Sequence, residues 1–488
     1  MENKFYITTP IYYINDIPAL GHSYTTIAAD VLARWHRSQG DDVFFLTGLD
    51  ENSQKTIEAA KAQKIKDIQK YTDIMAEKWK KVWKILNINY DGFIRTTEER
   101  HEDLVKKFFM DVCKKKDIYK GCYKGLYCGG CEAYLTESDL VDGLCPYHKK
   151  KPEYISEENY FFRLSKYQNK ILKHIEKNPN FIQPTSRRNE IIGFIKKGLQ
   201  DISISRQNSK WGIPLPIDEK HRFWCWFDAL LNYISGTKEK YWPATIHLIG
   251  KDILRFHAAI WPAMLLSAGY ELPKTIFAHG FFTINGQKMS KSLGNVIDPN
   301  KLVEKYGVDA VRYLLLSQFP FGGDGDIKED LFLEKYNTDL ANGIGNLFER
   351  VFSLINKFNK EDMNKIKTID RKLESSLTKI EDQYEQHIEA YDLFRASKDL
   401  LLFVKELDRY INDKEPWVLY KNKKNSSKLN IVLNSLFSGV KKLNVLMQPF
   451  MPDKANQVEF FIKKISNLQS RKKIGKLNLF PRINKNSS

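Results

Sequence analysis

Long apolar runs are missing from this 488-residue chain. No uninterrupted hydrophobic stretch approaches the roughly 20 residues that a membrane span needs, so no partnership with a membrane is expected. Cysteine is scarce as well: six in the whole chain are too few for a disulfide framework, and three of them share one short window with a histidine. That usage suits a reducing compartment, and a cytoplasmic protein is expected. A leader peptide is not expected either, because Met1-Glu2-Asn3-Lys4-Phe5-Tyr6-Ile7 enters an apolar, strand-like run at once. Acidic residues are the minority charge, 60 against 77 Lys and Arg, a formal net of +17. Residues 331–488 hold 29 Lys and Arg against 19 Asp and Glu, a net of +10, so the C-terminal third carries more than half of the excess. An anionic partner is expected on that side.

What is present begins with a strand, a helix and a strand. Residues 4–11 read as a buried strand, a turn with Asn15, Asp16 and Pro18 leads to Gly21-His22, and a helical pattern follows until Gly40. Asp42–Thr47 is a second strand, ending in the polar tip Thr47-Gly48-Leu49-Asp50-Glu51-Asn52. A glycine at the first strand-to-helix turn opens a doubly wound, Rossmann-like fold, whose ligands lie beyond the carboxyl ends of the strands. The alternation stops between about residues 116 and 215 and resumes with the strand Ile246–Gly250, a helix over Asp252–Leu266 and a strand over Ile276–Gly280. Asn285-Gly286 then turns into Lys288-Met289-Ser290-Lys291-Ser292. Alone, such a Lys/Ser cluster is more often solvated surface than a phosphate site. From about residue 327 the pattern is helical, with apolar spacing in 339–358, 386–410 and 428–448, and Lys/Asn/Ser-rich loops or tails at 421–428 and 471–488.

Four parts follow: a first half of the catalytic fold (1–115), an insertion (116–215), a second half (216–326) and an all-α bundle (327–488). Within the insertion, Cys128-Gly129-Gly130-Cys131 and Cys145-Pro146-Tyr147-His148 form a C-x2-C…C-x2-H set, which suits a closed, structural zinc knuckle. Cys113, Cys122 and Cys225 read as plain buried thiols, and that remains the alternative for the other three.

Taken in order, these segments resemble class I aminoacyl-tRNA synthetases, and the methionyl family in particular. The resemblance covers nearly the whole chain. It rests on Pro10–Asp16 ahead of Gly21-His22, Glu158–Leu164, Ile204-Ser205-Arg206, Gly250-Lys251-Asp252, Lys288–Ser292 with Leu293-Gly294-Asn295, and Glu415-Pro416-Trp417. It implies a split parallel-sheet catalytic domain with a zinc-knuckle insertion and an anticodon-binding bundle. Gly21 and His22 match the last two places of the family's His-x-Gly-His signature, where ATP phosphates meet a helix N-terminus. The first histidine of that signature is Ala19 here. Lys288, Ser290 and Lys291 resemble the family's mobile loop, whose ammonium groups approach the same phosphates. Asp50 matches the carboxylate that holds an α-ammonium, with Arg206 and Asp252 nearby. Ile11, Tyr13, Trp226, Ala229, Leu230, Tyr233, Phe256, His257 and Trp261 match the methionine pocket, an apolar wall suited to a thioether. Asn346, Arg350 and Trp417 match anticodon-reading positions.

The resemblance thus implies ATP, with its magnesium, L-methionine and tRNA(Met) as partners, structural zinc, and adenylate formation followed by transfer to tRNA. With about forty residues after Pro449, a monomer without the extra C-terminal domain of some relatives is expected. Two alternatives stay open. Another class I synthetase would share the phosphate motifs, although the larger aliphatic-specific enzymes carry a long insertion that this chain lacks. A noncatalytic tRNA-binding relative gains weight from Ala19. His22 could itself be a helix-start histidine satisfied by its own turn.

Overall fold

The structure is a computed structural model. It describes all residues except 1–2, 130–132, 147–148, 208, 285, 289–296, 360–362, 364–367, 467–474 and 485–488. The chain divides into two compact units, 1–281 and 282–488.

The first unit is organised around a six-stranded parallel sheet. Its strands run in the order Gly92–Arg95, Asp42–Asp50, Lys4–Tyr13, Ile246–Gly250, Thr275–His279, Ile182–Gln183. The N-terminal strand is central, with Ile7 beside Phe45 on one side and Ile246 on the other. Both faces of a parallel sheet are covered, so its strands read as continuous apolar and β-branched runs; Phe5, Tyr6 and Ile7 are all buried. The pairing with Asp42–Asp50 shifts register between Thr8 and Ile11. Pro10 falls inside that shift, where its missing N–H costs no ladder bond.

The predicted helix after Gly21-His22 is Leu20–Ser38, and Gly40 at φ 87° follows its end. The single predicted helix over Asp252–Leu266 is instead a short 3-10 turn at Lys251–Ile253, a wide π turn at Phe256–Ile260 and an α-helix at Trp261–Ala268. Pro262 explains the widening. Its ring would strike the carbonyl of Ala258 in a regular helix, and the Trp261 N–H reaches back five residues to Phe256 instead.

Residues 116–215 contain a second, antiparallel sheet in the order Ala133–Leu135, Ile118–Cys128, Glu153–Phe162, Ile202–Ser203. They are not wholly an excursion, however. Ile182–Gln183 forms the edge strand of the parallel sheet, and Ile171, Ile175, Ile191 and Ile195 from the flanking helices join the same core. A two-residue strand is too short to leave a periodic trace in sequence.

In the second unit, Phe282–Ile284 pairs antiparallel with Gln287–Lys288 and parallel with Gly325–Ile327. The remainder is helical: Tyr336–Gly345 is a wide π stretch that runs into Asn346–Phe358, and Arg371–Glu389, Leu393–Lys414, Ser426–Met447 and Pro452–Ser466 follow. The apolar window 386–410 spans two helices, broken where Tyr391 takes a left-handed φ of 60°. The bundle core includes Leu347, Val351, Phe403, Leu407, Leu436 and Val440. The two expected Lys/Asn/Ser-rich loops differ where they are described. Residues 421–428 hold a 3-10 turn, Lys423–Asn425, and the start of the next helix. The final described segment buries Leu477, Leu479 and Phe480, and the carbonyls of Pro481 and Ile483 accept bonds from Tyr336 and Asn337. Its three apolar side chains outweigh its basic composition. Among the described residues no helix is long and apolar enough to cross a membrane.

Candidate active site

The carboxyl ends of the central strands converge on one edge of the first unit. Tyr13 and Asp50 are register partners there, at the last positions of adjacent strands. Asp50 is buried and accepts from the Asn52 N–H at 3.2 Å, and the Asn52 amide donates to Asp228 at 3.0 Å. The ammonium of Lys55 lies 4.0 Å from the centre of the Tyr13 ring. Next to Asp50, Glu51 is fully buried and paired with Arg95 at 2.7 Å, yet burial still pushes its carboxyl above the usual range.

Beyond the first strand the chain enters Leu20–Ser38. Ala19 is its N-cap and has no side chain to cap with, and the cap comes from His22 instead: the Ala19 N–H donates to His22 Nδ1 at 3.0 Å. A backbone N–H can only donate, so Nδ1 is the bare nitrogen and the neutral ring carries its proton on Nε2. Burial lowers the His22 pKa to about 4, which keeps the ring neutral at physiological pH. The first turn contains no acidic residue to neutralise the positive end of the helix. Gly21 leaves open space where a side chain would stand. A helix N-terminus, an uncrowded backbone and one oriented imidazole are features that suit an anion. His279, at the end of its strand, flanks it. Its Nδ1–H donates to the Gly280 carbonyl at 2.8 Å and its Nε2 accepts the Thr25 hydroxyl at 2.7 Å.

The predicted pocket residues gather deeper in the same unit. Trp226 and Phe256 stack face to face, 3.8 Å between centroids, and Trp226 meets His257 edge-on. Ala229, Leu230, Tyr233, His257 and Trp261 are buried, while Ile11, Trp226 and Phe256 pack on that core partly exposed. His257 Nδ1–H donates to the Ile253 carbonyl at 3.0 Å, so its Nε2 accepts the Tyr233 hydroxyl at 2.7 Å. The pair is uncharged, with the His257 pKa lowered to about 4 by burial.

One member of this group is absent from the sequence reading. His247 lies beneath the Tyr233 ring at 4.1 Å, accepts the Trp261 indole N–H at 3.3 Å on Nε2, and faces Thr8 through Nδ1 at 2.7 Å. The signal was a lone polar residue in the apolar strand Ile-His-Leu-Ile-Gly.

Arg206 lies flat over Tyr127 at 3.8 Å and reaches Glu157 at 3.5 Å, at a cleft of about 360 Å³ that Asn52, Trp224 and Cys225 also line. The carboxylate of Asp252 curls back over Gly250, filling the place of a Cβ. Of the four predicted zinc ligands, Cys128 and Cys145 are both buried. The backbone turns tightly at Cys145, whose N–H donates to Lys150 and whose carbonyl accepts from Lys149. Cys131 and His148 lie outside the described residues, as do Ser290 and Lys291; Lys288 is described through its backbone alone, at the end of a two-residue strand.

In the second unit Asn346 opens its helix, exposed, and Arg350 follows one turn later. The Arg350 guanidinium donates to Asp408 at 3.1 Å and Asn412 at 2.6 Å. Trp417 lies partly exposed in the short helix Pro416–Lys421, which starts after Glu415 at φ 40°.

Comparison with known proteins gives a consistent picture. The family model for class I tRNA synthetases (M) matches residues 5–155 and 138–352, and that for the anticodon binding domain of methionyl tRNA ligase matches 362–477. The methionine–tRNA ligase of Caldanaerobacter subterraneus subsp. tengcongensis is 45% identical over 465 residues, covering 93% of this chain and 73% of the relative. That of Thermotoga maritima is 44% identical over 470 residues, covering 93% and 74%. The solved structure of Mycobacterium tuberculosis methionyl-tRNA synthetase in complex with methionyl-adenylate superposes with a TM-score of 0.91 at 37% identity, covering 98% of this chain and all of that one.

Proposed function

The chain belongs to the methionyl class I tRNA synthetases, and from that premise we propose how its residues divide the work of a methionine–tRNA ligase. The activity joins L-methionine to the 3′ end of its tRNA at the expense of ATP. Methionine carboxylate attacks the α-phosphorus of magnesium-bound ATP, pyrophosphate leaves, and a hydroxyl of the tRNA terminal adenosine then takes the methionyl group and releases AMP.

The pocket of Ile11, Tyr13, Trp226, Ala229, Leu230, Tyr233, Phe256, His257 and Trp261 takes the methionine side chain, and Asp50 takes its α-ammonium. The observation that carries this reading is the Tyr233–His257 pair: both polar atoms are satisfied within an aromatic enclosure, so a neutral, polarizable side chain is accepted and a charged one has nothing to pair with. Gly21 and the Nε2–H of His22 receive phosphate oxygens. Lys288 and Lys291 add positive charge as pyrophosphate departs, with the Ser290 hydroxyl as a hydrogen-bond donor, which stabilises the transition state without any acid or base. Arg206 and Asp252 border the reacting groups, and Asn346, Arg350 and Trp417 meet the anticodon.

Cys128, Cys131, Cys145 and His148 would hold a zinc ion, and two buried sulfurs at the tip of a long hairpin fit that donor set. With four protein ligands such an ion would be structural, tying the hairpin end together. The four-part division, a monomeric state and a cytoplasmic location complete the proposal. Amino-acid-dependent ATP–pyrophosphate exchange, run with each standard amino acid, tests it. Exchange with methionine alone is expected, and exchange driven by another amino acid would overturn the pocket assignment.

A further inference from the structure

The helix Ile68–Ile85 contains none of the motif residues named above, yet it is fastened to the loop that leads into Leu20–Ser38. Two of its buried side chains donate into that loop: the Tyr71 hydroxyl to the Ile14 carbonyl at 2.8 Å, and the Trp79 indole N–H to the Asp16 carbonyl at 2.8 Å. Both acceptors lie in the six-residue connection between the first strand and the helix that begins at Leu20.

Trp79 does more than tether. Its ring stacks on Tyr12 at 5.2 Å and 18°, and packs against the imidazole of His22 at 5.2 Å, while Tyr12 and His22 are 4.9 Å apart. Three rings therefore form a near-equilateral triangle with His22 as one corner. The Ala19 N–H holds Nδ1, so the imidazole has two fixed points, a hydrogen bond at one edge and two aromatic walls. Turning the ring over would break that bond and leave a partly buried nitrogen unpaired, which is unfavourable. The Ala19 N–H is in turn placed by the loop that Trp79 and Tyr71 anchor. Because Ala19 supplies no imidazole of its own, His22 is the one imidazole at this helix start.

We infer that Trp79 is a positioning residue for the phosphate-donating imidazole of His22, aiming its Nε2–H through ring packing and through the bond to Asp16. The inference rests on the reading of His22 as a phosphate donor. Complete burial alone would also suit a purely structural tryptophan, so the test must separate aim from stability.

A double-mutant cycle does so. In W79F, which keeps a ring and loses the bond to Asp16, kcat/KM for ATP in pyrophosphate exchange is expected to fall about tenfold, with the methionine dissociation constant changed less than twofold. In an H22A background the same W79F change is expected to cost less than twofold, since there is no imidazole left to aim. Equal, multiplicative losses in both backgrounds, or a matching loss of methionine affinity, would overturn the inference. Full exchange activity in H22A alone would instead remove the reading of His22 beneath it. Should W79F fail to fold, Y71F loosens the same loop without touching the triangle; a selective loss for ATP that disappears in H22A is again expected, and a loss independent of His22 would again refute the idea.

Discussion

Hydrogen-bond partners dictate the protons on the two histidines that matter most. Ala19 N–H occupies Nδ1 of His22, and the Ile253 carbonyl claims the Nδ1 proton of His257, so one ring offers a donor outward and the other accepts from Tyr233. Both rings are neutral because burial disfavours the charged form more than any neighbour favours it. Neutrality bounds their chemistry: in the proposed function His22 would give directed hydrogen bonding rather than full charge, which would leave charge neutralisation to lysine. Lys291→Ala is therefore expected to reduce adenylate formation by about 100-fold or more, the range seen on removing one transition-state donor. Methionine binding should change little. Measured side by side, single-turnover adenylate formation and the methionine dissociation constant should separate, and an equal fall in both would contradict the assigned role.

At the level of elements, close approach of strands explains one glycine and open space another. A Cβ on Gly48 would lie 2.1 Å from the Ile94 carbonyl oxygen and 3.0 Å from Ile11 Cγ2. The overpacking, about 1–3 kcal/mol, exceeds the roughly 0.4–1 kcal/mol that Gly→Ala can return through the unfolded chain. Gly48→Ala is expected to lower the urea midpoint and weaken methionine binding together, since Ile11 and Asp50 are displaced with the strand. Gly21→Ala should do the reverse. Nothing stands within 4 Å of its added methyl, so stability should hold or rise slightly while KM for ATP increases. A loss of stability in Gly21→Ala would show that this helix start is not open.

Over the whole molecule, buried titrating groups set the acid response. His22, His257 and His279 fall to about 4, His101 to about 3 and His247 well below its ordinary value, all chiefly through burial. Unfolded, each would take up a proton near pH 6.5, so between pH 6.5 and about 4 the unfolded chain holds more protons and stability falls as pH falls. Each histidine contributes a slope of up to about 1.4 kcal/mol per pH unit in that window. Asp309 opposes them: burial raises it to about 6, so its folded form holds the extra proton between its ordinary 3.8 and 6, and its contribution favours folding as pH falls. Glu51, Asp399 and Asp408, also raised by burial, act in the same direction as Asp309. The five histidines start from a higher ordinary value and dominate nearer neutrality, and urea midpoints should drop from pH 7 to pH 5; a flat profile would mean that these histidines are not held neutral.

The second unit supplies a separable function. Trp417→Ala should leave methionine-dependent pyrophosphate exchange within about twofold of normal and lower tRNA charging by about tenfold or more, in line with about 1–3 kcal/mol per stacked base. Unchanged charging would remove Trp417 from the anticodon assignment.

Sequence by itself determined the strand–helix–strand opening, the parallel character of the sheet and the helical C-terminal part, because buried parallel strands and helical periods leave local, contiguous traces. Gly40 stopped its helix, and Tyr233 and His257 met as expected. The tertiary structure alone decided what depends on contacts between distant segments. Ile182–Gln183 became a sheet edge, Pro262 widened a helix, Leu477–Phe480 anchored a basic tail, His247 came to lie under Tyr233 and Trp79 beside His22. None of these has a local period to read. Each follows from apolar or polar groups finding their partners across many residues of chain, which is a property of packing rather than of sequence spacing.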